Sequence, residues 1–183
     1  DGELHFVQVS RLEIAAKAQD VLIKDLAIVK NKGVTNFHMH FVGDGEDYNY
    51  LTDLCRQLKV EDLVTFEGRW EQQKIYSLLA NYDLFIQPSR NEGFGLTIAE
   101  AMAAKVPVLV SDIPAPMEVI DDGRLGLSFE NENPADCAEK LLFFIRKGRN
   151  KEQVEDAYQY VKSHYDVSVT AQKYLEVYES ILK

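Results

Sequence analysis

Glu92 and Glu100 stand eight residues apart in the stretch Arg90-Asn91-Glu92-Gly93-Phe94-Gly95-Leu96-Thr97-Ile98-Ala99-Glu100-Ala101-Met102-Ala103-Ala104. Gly93 and Gly95 follow the first carboxylate, and a helix-like apolar run carries the second. The strand-like run Asp83 to Ser89 leads into them. Strand, glycine loop and helix in that order present backbone N–H groups and a helix N-terminus to an anion. The glycines keep side chains out of the way, so those N–H groups can approach a phosphate or sugar oxygen. A carboxylate accepts two hydrogen bonds in a fork, which suits the diol of a ribose. Glu100, on the first or second helical turn, is placed for that task, and Glu92, in the loop and more open to substrate, for hexose hydroxyls. Glu100 alone could instead be an acid favouring the helix dipole. That explanation leaves out the glycines, Glu92 and the strand. The stretch points to a ligand that is part phosphate and part sugar.

A phosphate needs cations. Arg11 and Lys17 follow the first strand-like run, in its loop or in the first turn of the next helix. An arginine fork and a lysine point charge suit a diphosphate. They could equally be a solvated pair, but cations at a helix start oppose the macrodipole, which favours a functional reason. After the second strand, Gly43-Asp44-Gly45 allows either a close ligand approach or a plain strand-to-helix turn. After the third, Gly68-Arg69-Trp70 offers a surface for a nucleobase, or a tryptophan covering the edge of the core. His5, His38, His40 and His164 show no metal-ligand spacing. His38 and His40 share a strand face without a third ligand, which favours a structural role. There is no nucleophile elbow and no Walker lysine loop, and the acids Asp44, Glu46 and Asp47 lack the calcium-loop pattern.

These residues need a scaffold. Strands are expected at 4–9, 37–42, 63–66, 84–86, 106–110 and 125–129. Helices are expected at 16–30, 47–58, 71–80, 96–104, 116–120, 134–147, 150–164 and 167–182. Pro107 falls near a strand start, where a missing N–H is tolerated. Asn133 and Pro134 fit the N-cap and first helical position of the helix that follows. Alternating β and α segments imply a doubly wound parallel α/β sheet of about six strands, Rossmann-like, with helices on both faces. Ligands of such sheets bind beyond the carboxyl ends of the strands. With 183 residues and no visible linker before about residue 130, one domain is expected over 1–183, with a core at about 4–147 and C-terminal helices at about 150–182. The net charge of −10 argues against nucleic acid or an anionic membrane as partner. Cys55 and Cys137, far apart, fit a reduced intracellular setting. No apolar run is long enough to span a membrane, and no signal peptide is visible. Opening on Asp1-Gly2-Glu3 and entering a strand at once, the chain reads as a piece of a longer protein.

Glu92-(x7)-Glu100 with Ala101-Met102-Ala103 and Val106-Pro107-Val108-Leu109 resembles the retaining glycosyltransferases of the GT-B fold, specifically their C-terminal, nucleotide-sugar-binding half. Arg11 and Lys17 are similar to the family's Arg…Lys-Gly pair, with Ala18 in place of the glycine. Gly43 to Gly45, Phe66-Glu67-Gly68 and Pro116 to Gly123 match further family segments. The resemblance covers about residues 6–130. It implies that Arg11 and Lys17 bind the donor diphosphate, and that Gly93, Phe94, Gly95 and Leu96 hold phosphate and hexose. Glu92 would contact the transferred sugar, Glu100 the ribose, and the base would lie near Gly68, Arg69 and Trp70, with Gly43 close by. Arg11, Lys17 and Glu92 would stand nearest the chemistry. It further implies a sugar transfer from a UDP- or GDP-sugar with retained configuration, to a glycan or lipid-linked saccharide in polysaccharide biosynthesis, without a metal or other cofactor. The acceptor would be held mostly by an N-terminal domain outside this chain, so the chain alone would be inactive. The setting would be cytoplasmic, with any membrane contact peripheral and made by that other domain. A GT-B epimerase or phosphorylase, or a non-catalytic nucleotide-binding module, are the alternatives; the paired glutamates with Ala-Met-Ala favour the transferase.

Overall fold

The computed structural model describes residues 2–165. Six parallel strands, β1 (Leu4–Val9), β2 (Phe37–Val42), β3 (Val64–Gly68), β4 (Leu84–Gln87), β5 (Val108–Ser111) and β6 (Leu127–Phe129), form one sheet in the order β3-β2-β1-β4-β5-β6. The chain winds outward from β1 to β3, then returns to lay β4 on the other side of β1. The crevice above β1 and β4 is the point where the winding reverses, the preferred ligand position of this fold class. Val9 pairs with Val42, and Val7 with Phe85, so the strand ends bearing the loops lie side by side.

The strands alternate between two cores. Phe6, Phe37, Met39 and Phe41 point to one face, where they pack with Leu22 and Leu26 of α2 (Gln19–Asn31), with α3 (Tyr48–Leu58) and with α7 (Pro134–Lys147). Val7, Phe85, Val108 and Val110 point to the other, against Ile98 and Met102 of α5 (Leu96–Ala103), α6 (Pro114–Val119) and Val161 of α8 (Lys151–His164). Burial of each such side chain is worth roughly 1.5–3 kcal/mol, which makes the sheet a rigid floor for its loops. Asn133 caps α7 by accepting from the Ala135 and Asp136 N–H groups, with Pro134 next, as expected. Among the described residues no helix is long and apolar enough to cross a membrane.

Some boundaries differ from expectation. The helix expected over 16–30 is two: a single turn, α1 (Ile14–Lys17), and α2, broken at Ala18 with φ 53°. β5 begins at Val108, after Pro107, whose carbonyl still accepts from the Phe85 N–H at 2.9 Å. The helix over 71–80 shortens to α4 (Gln72–Leu78) and ends in a 3-10 turn. The expected helix at 167–182 lies outside the described residues.

Candidate active site

Two adjoining hollows open beyond the carboxyl ends of the strands. Arg11, Gly43, Arg69, Trp70 and Thr97 are among the lining of one, of about 420 Å³. Lys17, Gln87, Glu92, Gly93, Phe94 and Leu96 are among the lining of the other, of about 410 Å³. Val9, Ser10 and Thr97 line both, so the two are halves of one cleft. A larger hollow, of about 720 Å³, lies at the opposite edge, between the end of α2, the start of β6 and α7. None of the candidate site residues lines it.

The sheet positions these groups through its loops. Gly43, at φ 142°, lets the loop after β2 press against the loop after β1: a Cβ there would stand 1.9 Å from the Ser10 carbonyl oxygen. Its N–H donates to the Gly68 carbonyl at 2.9 Å, tying in the loop after β3. The structure thus gives Gly43 a steric role as well as a place on the lining, while Gly68 lines neither half of the cleft. The loop after β4 is tied to the loop after β1. The Arg90 and Asn91 N–H groups both donate to the Ala16 carbonyl, at 2.9 and 3.2 Å. The Arg90 guanidinium grips Asp20 in a fork, at 2.8 and 3.2 Å, and also donates to the Ile14 carbonyl. Burial pushes the Asp20 carboxyl up, but Arg90 and Lys24 together bring it below the usual aspartate range.

This stitching brings Lys17 and Glu92 together. Lys17 Nζ donates to Glu92 Oε2 at 2.7 Å, with the two side chains only 22% and 14% exposed. Glu92 is therefore a paired, recessed acid, not the open one expected. Lys17 also moves: it ends the one-turn α1 instead of lying in the first turn of a longer helix, so its charge favours the α1 dipole. Ala18 behind it is fully buried and holds the left-handed backbone where the resembling family has glycine. Arg11 is exposed and reaches the other half of the cleft.

Gly95, at φ 91°, is the residue before α5, and no side chain caps that helix. Its N-terminus faces the Lys17 half of the cleft. Glu100 lies a turn further on, where it accepts from the Tyr76 hydroxyl of α4 at 3.0 Å. It lines neither half of the cleft but a flanking apolar hollow of about 430 Å³ between α5 and α8, with Phe94, Leu96, Tyr158 and Tyr165. Trp70 carries the Lys74 ammonium 3.9 Å over its ring. The structure unites Lys17, Glu92 and the glycine loop in one half, and Arg11, Gly43, Arg69 and Trp70 in the other, with Glu100 beside them.

The spacing of residues did not reveal Gln87, Ser89, Thr97, Tyr76 or the Arg90–Asp20 pair. Gln87 had a signal: it is a polar residue ending an apolar strand, as is Gln8 near the end of β1. Gln8 donates to the Lys17 carbonyl at 3.2 Å, and Gln87 to Ser89 Oγ at 2.7 Å. The histidines form a chain away from the cleft: His5 Nδ1 lies 3.1 Å from His40 Nε2, and His40 Nδ1 2.7 Å from Glu67. His38 contacts Thr65 instead, and among the described residues no group of three His, Cys, Asp or Glu could hold a metal ion.

The sheet order, the cleft at the switch point and the uncapped α5 define a doubly wound, Rossmann-like chain with a site suited to an anionic ligand. Residues 1–164 match the family described as "Glycosyl transferases group 1", and the chain belongs to that family. It is similar to the O-antigen biosynthesis glycosyltransferase WclY of Escherichia coli, with 29% identity over 141 residues, 77% of this chain and 38% of that protein. It is 27% identical to the N-acetyl-alpha-D-glucosaminyl L-malate synthase of Bacillus anthracis over 188 residues, 100% of this chain and 47% of that protein. The crystal structure of Anabaena Alr3699/HepE in complex with UDP superposes with a TM-score of 0.88 at 25% identity, covering 98% of this chain and 49% of that one. The chain thus spans about half or less of each of these relatives.

Proposed function

We propose that this chain is the donor-binding domain of a retaining glycosyltransferase, taking a nucleoside diphosphate sugar, with UDP as the nucleotide. The observation that carries this reading is the Lys17–Glu92 pair at the mouth of α5, 2.7 Å long and mostly recessed. It sets a cation for the diphosphate and an acid for sugar hydroxyls side by side. Similarity to a structure described with UDP supports the choice of nucleotide.

In this reading the uncapped N–H groups of α5 and the Lys17 ammonium hold the diphosphate near the sugar, and Arg11 approaches it from the other half of the cleft. Positive groups placed where the diphosphate leaves stabilise the charge that develops there, so no metal ion is needed. Glu92 accepts from the transferred sugar. Glu100 accepts from the ribose with the oxygen that Tyr76 does not use, and the uracil lies against Arg69 and Trp70. The acceptor is held by a part of the protein outside this chain, and the setting is cytoplasmic, with any membrane contact made by that other part.

Calorimetric titration with UDP, GDP and their sugars, with and without EDTA, tests the reading. UDP should bind in the presence of EDTA, weakly for a surface that supplies one wall of a cleft. Arg11→Ala and Glu100→Ala should each weaken it. Absence of heat with every nucleotide, or unchanged binding in both variants, would remove the proposal.

A further inference from the structure

We infer that Gln87 is a positioning residue that keeps Glu92 in place when the donor claims Lys17. The inference rests on the reading of the cleft as a donor site. Among the described residues every side-chain polar contact of Glu92 falls on one oxygen: Oε2 accepts from Lys17 Nζ at 2.7 Å, from Gln87 Nε2 at 3.4 Å and from Ser89 Oγ at 3.5 Å. Oε1 is left for a ligand. The strongest of the three contacts is also the one a diphosphate competes for, because lysine is a point charge on a rotatable stem and follows the stronger anion. If Lys17 were the only anchor, loading the phosphate would release the acid that must meet the sugar.

Gln87 does not share that mobility. It ends β4, pairs in the ladder with Val110, and is fully buried. Its Nε2 also donates to Ser89 Oγ at 2.7 Å, and Ser89 is held in turn through its carbonyl by Ser111 Oγ at 2.6 Å. The amide can be oriented only with nitrogen toward Glu92, since its oxygen there would face a carboxylate. Its Oε1 then has no partner among the described residues, although the side chain borders the cleft. A buried amide with one unpaired end costs stability, and the apolar Leu84-Phe85-Ile86 run before it offers no structural reason for a glutamine.

The test compares UDP with UDP-glucose and UDP-N-acetylglucosamine, titrated into the wild-type protein, Gln87→Met, Glu92→Gln and the double variant. The sugar's contribution to binding is the ratio of the UDP and UDP-sugar dissociation constants. Gln87→Met should lower that ratio about five- to tenfold, less than the loss of a full hydrogen bond to a charged group because the contact is 3.4 Å long, while UDP affinity changes less than about twofold. In the Glu92→Gln background the same change should have almost no further effect, because Gln87 acts through Glu92. Equal losses for UDP and UDP-sugar, an effect that persists in the Glu92→Gln background, or an unchanged ratio would each overturn the inference and leave the donor site standing. Failure of the wild-type protein to bind any of the three ligands would overturn the donor site itself, and the inference with it.

Discussion

Replacing Arg90 with Met removes the strut between the loop after β4 and the start of α2. The variant keeps an unbranched stem but loses the fork on Asp20 and the bond to the Ile14 carbonyl. Asp20 is left with an 8% exposed carboxylate and, among the described residues, only Lys24, 3.0 Å away, as a charged partner. Breaking a buried pair by removing one member costs about 3–5 kcal/mol. Arg90 is 21% exposed and Lys24 remains, so about 2–3 kcal/mol is expected here. For a chain of this size that is roughly 4–12 °C in Tm. Urea unfolding at pH 7 reads it directly, with the m-value unchanged and most of the loss recovered in Arg90→Met/Asp20→Asn. The pH dependence supplies a second check. The Asp20 carboxyl is held below its ordinary value, so its stabilising contribution is complete above the unfolded value of about 3.9 and is lost as pH falls through the lower folded value. The gap between wild type and variant should therefore be constant from pH 7 to 5 and close in stronger acid. A loss under about 1 kcal/mol at pH 7, or a gap that widens on acidification, would refute this account of the strut.

Asp25 is fully buried beside Cys137, and burial pushes its carboxyl well above the ordinary range, so it opposes folding by about 1.4 kcal/mol per pH unit between the unfolded value near 3.9 and its folded value. Asp25→Asn should remove that slope and raise the urea midpoint at pH 8 while leaving it nearly unchanged at pH 4. Gly43→Ala puts a methyl against the Ser10 carbonyl and should cost about 2 kcal/mol or more, with weaker UDP binding because two loops must part; a thermal shift assay beside the titration checks both. Burial pushes the Cys55 thiol up to about 12 and the Cys137 thiol also well up. Neither should react with a thiol reagent at pH 8 until the protein is unfolded, and rapid labelling of the native chain would contradict the structure.

Much of the scaffold was legible because local chemistry and tertiary context agree. β2 alternates from Phe37 to Phe41, and Asn133-Pro134 announces α7. Ala18 was not legible: a left-handed backbone is announced by glycine, and alanine adopts it only because the surrounding loops hold it there. The start of β5 was misread because Pro107 can pair through its carbonyl without belonging to the strand. At the site, the loops after β1, β2 and β4 followed from the winding of the sheet. The Lys17–Glu92 and Arg90–Asp20 contacts did not, since partners 75 and 70 residues apart leave no trace in spacing. Gln87 stood in view as a polar end to an apolar strand, but its meaning depends on where Glu92 folds back.

The Ala16 carbonyl accepts from two consecutive amides of the loop after β4, and Arg90 closes the same junction from its side chain. Residues 14–20 and 87–95 are therefore a single transplantable unit written in two distant places. A chimera that moves only the glycine loop between relatives would carry Glu92 without the backbone that seats it, and would confuse a lost seat with a changed donor preference. Engineering of donor choice in this chain has to exchange both segments together or neither.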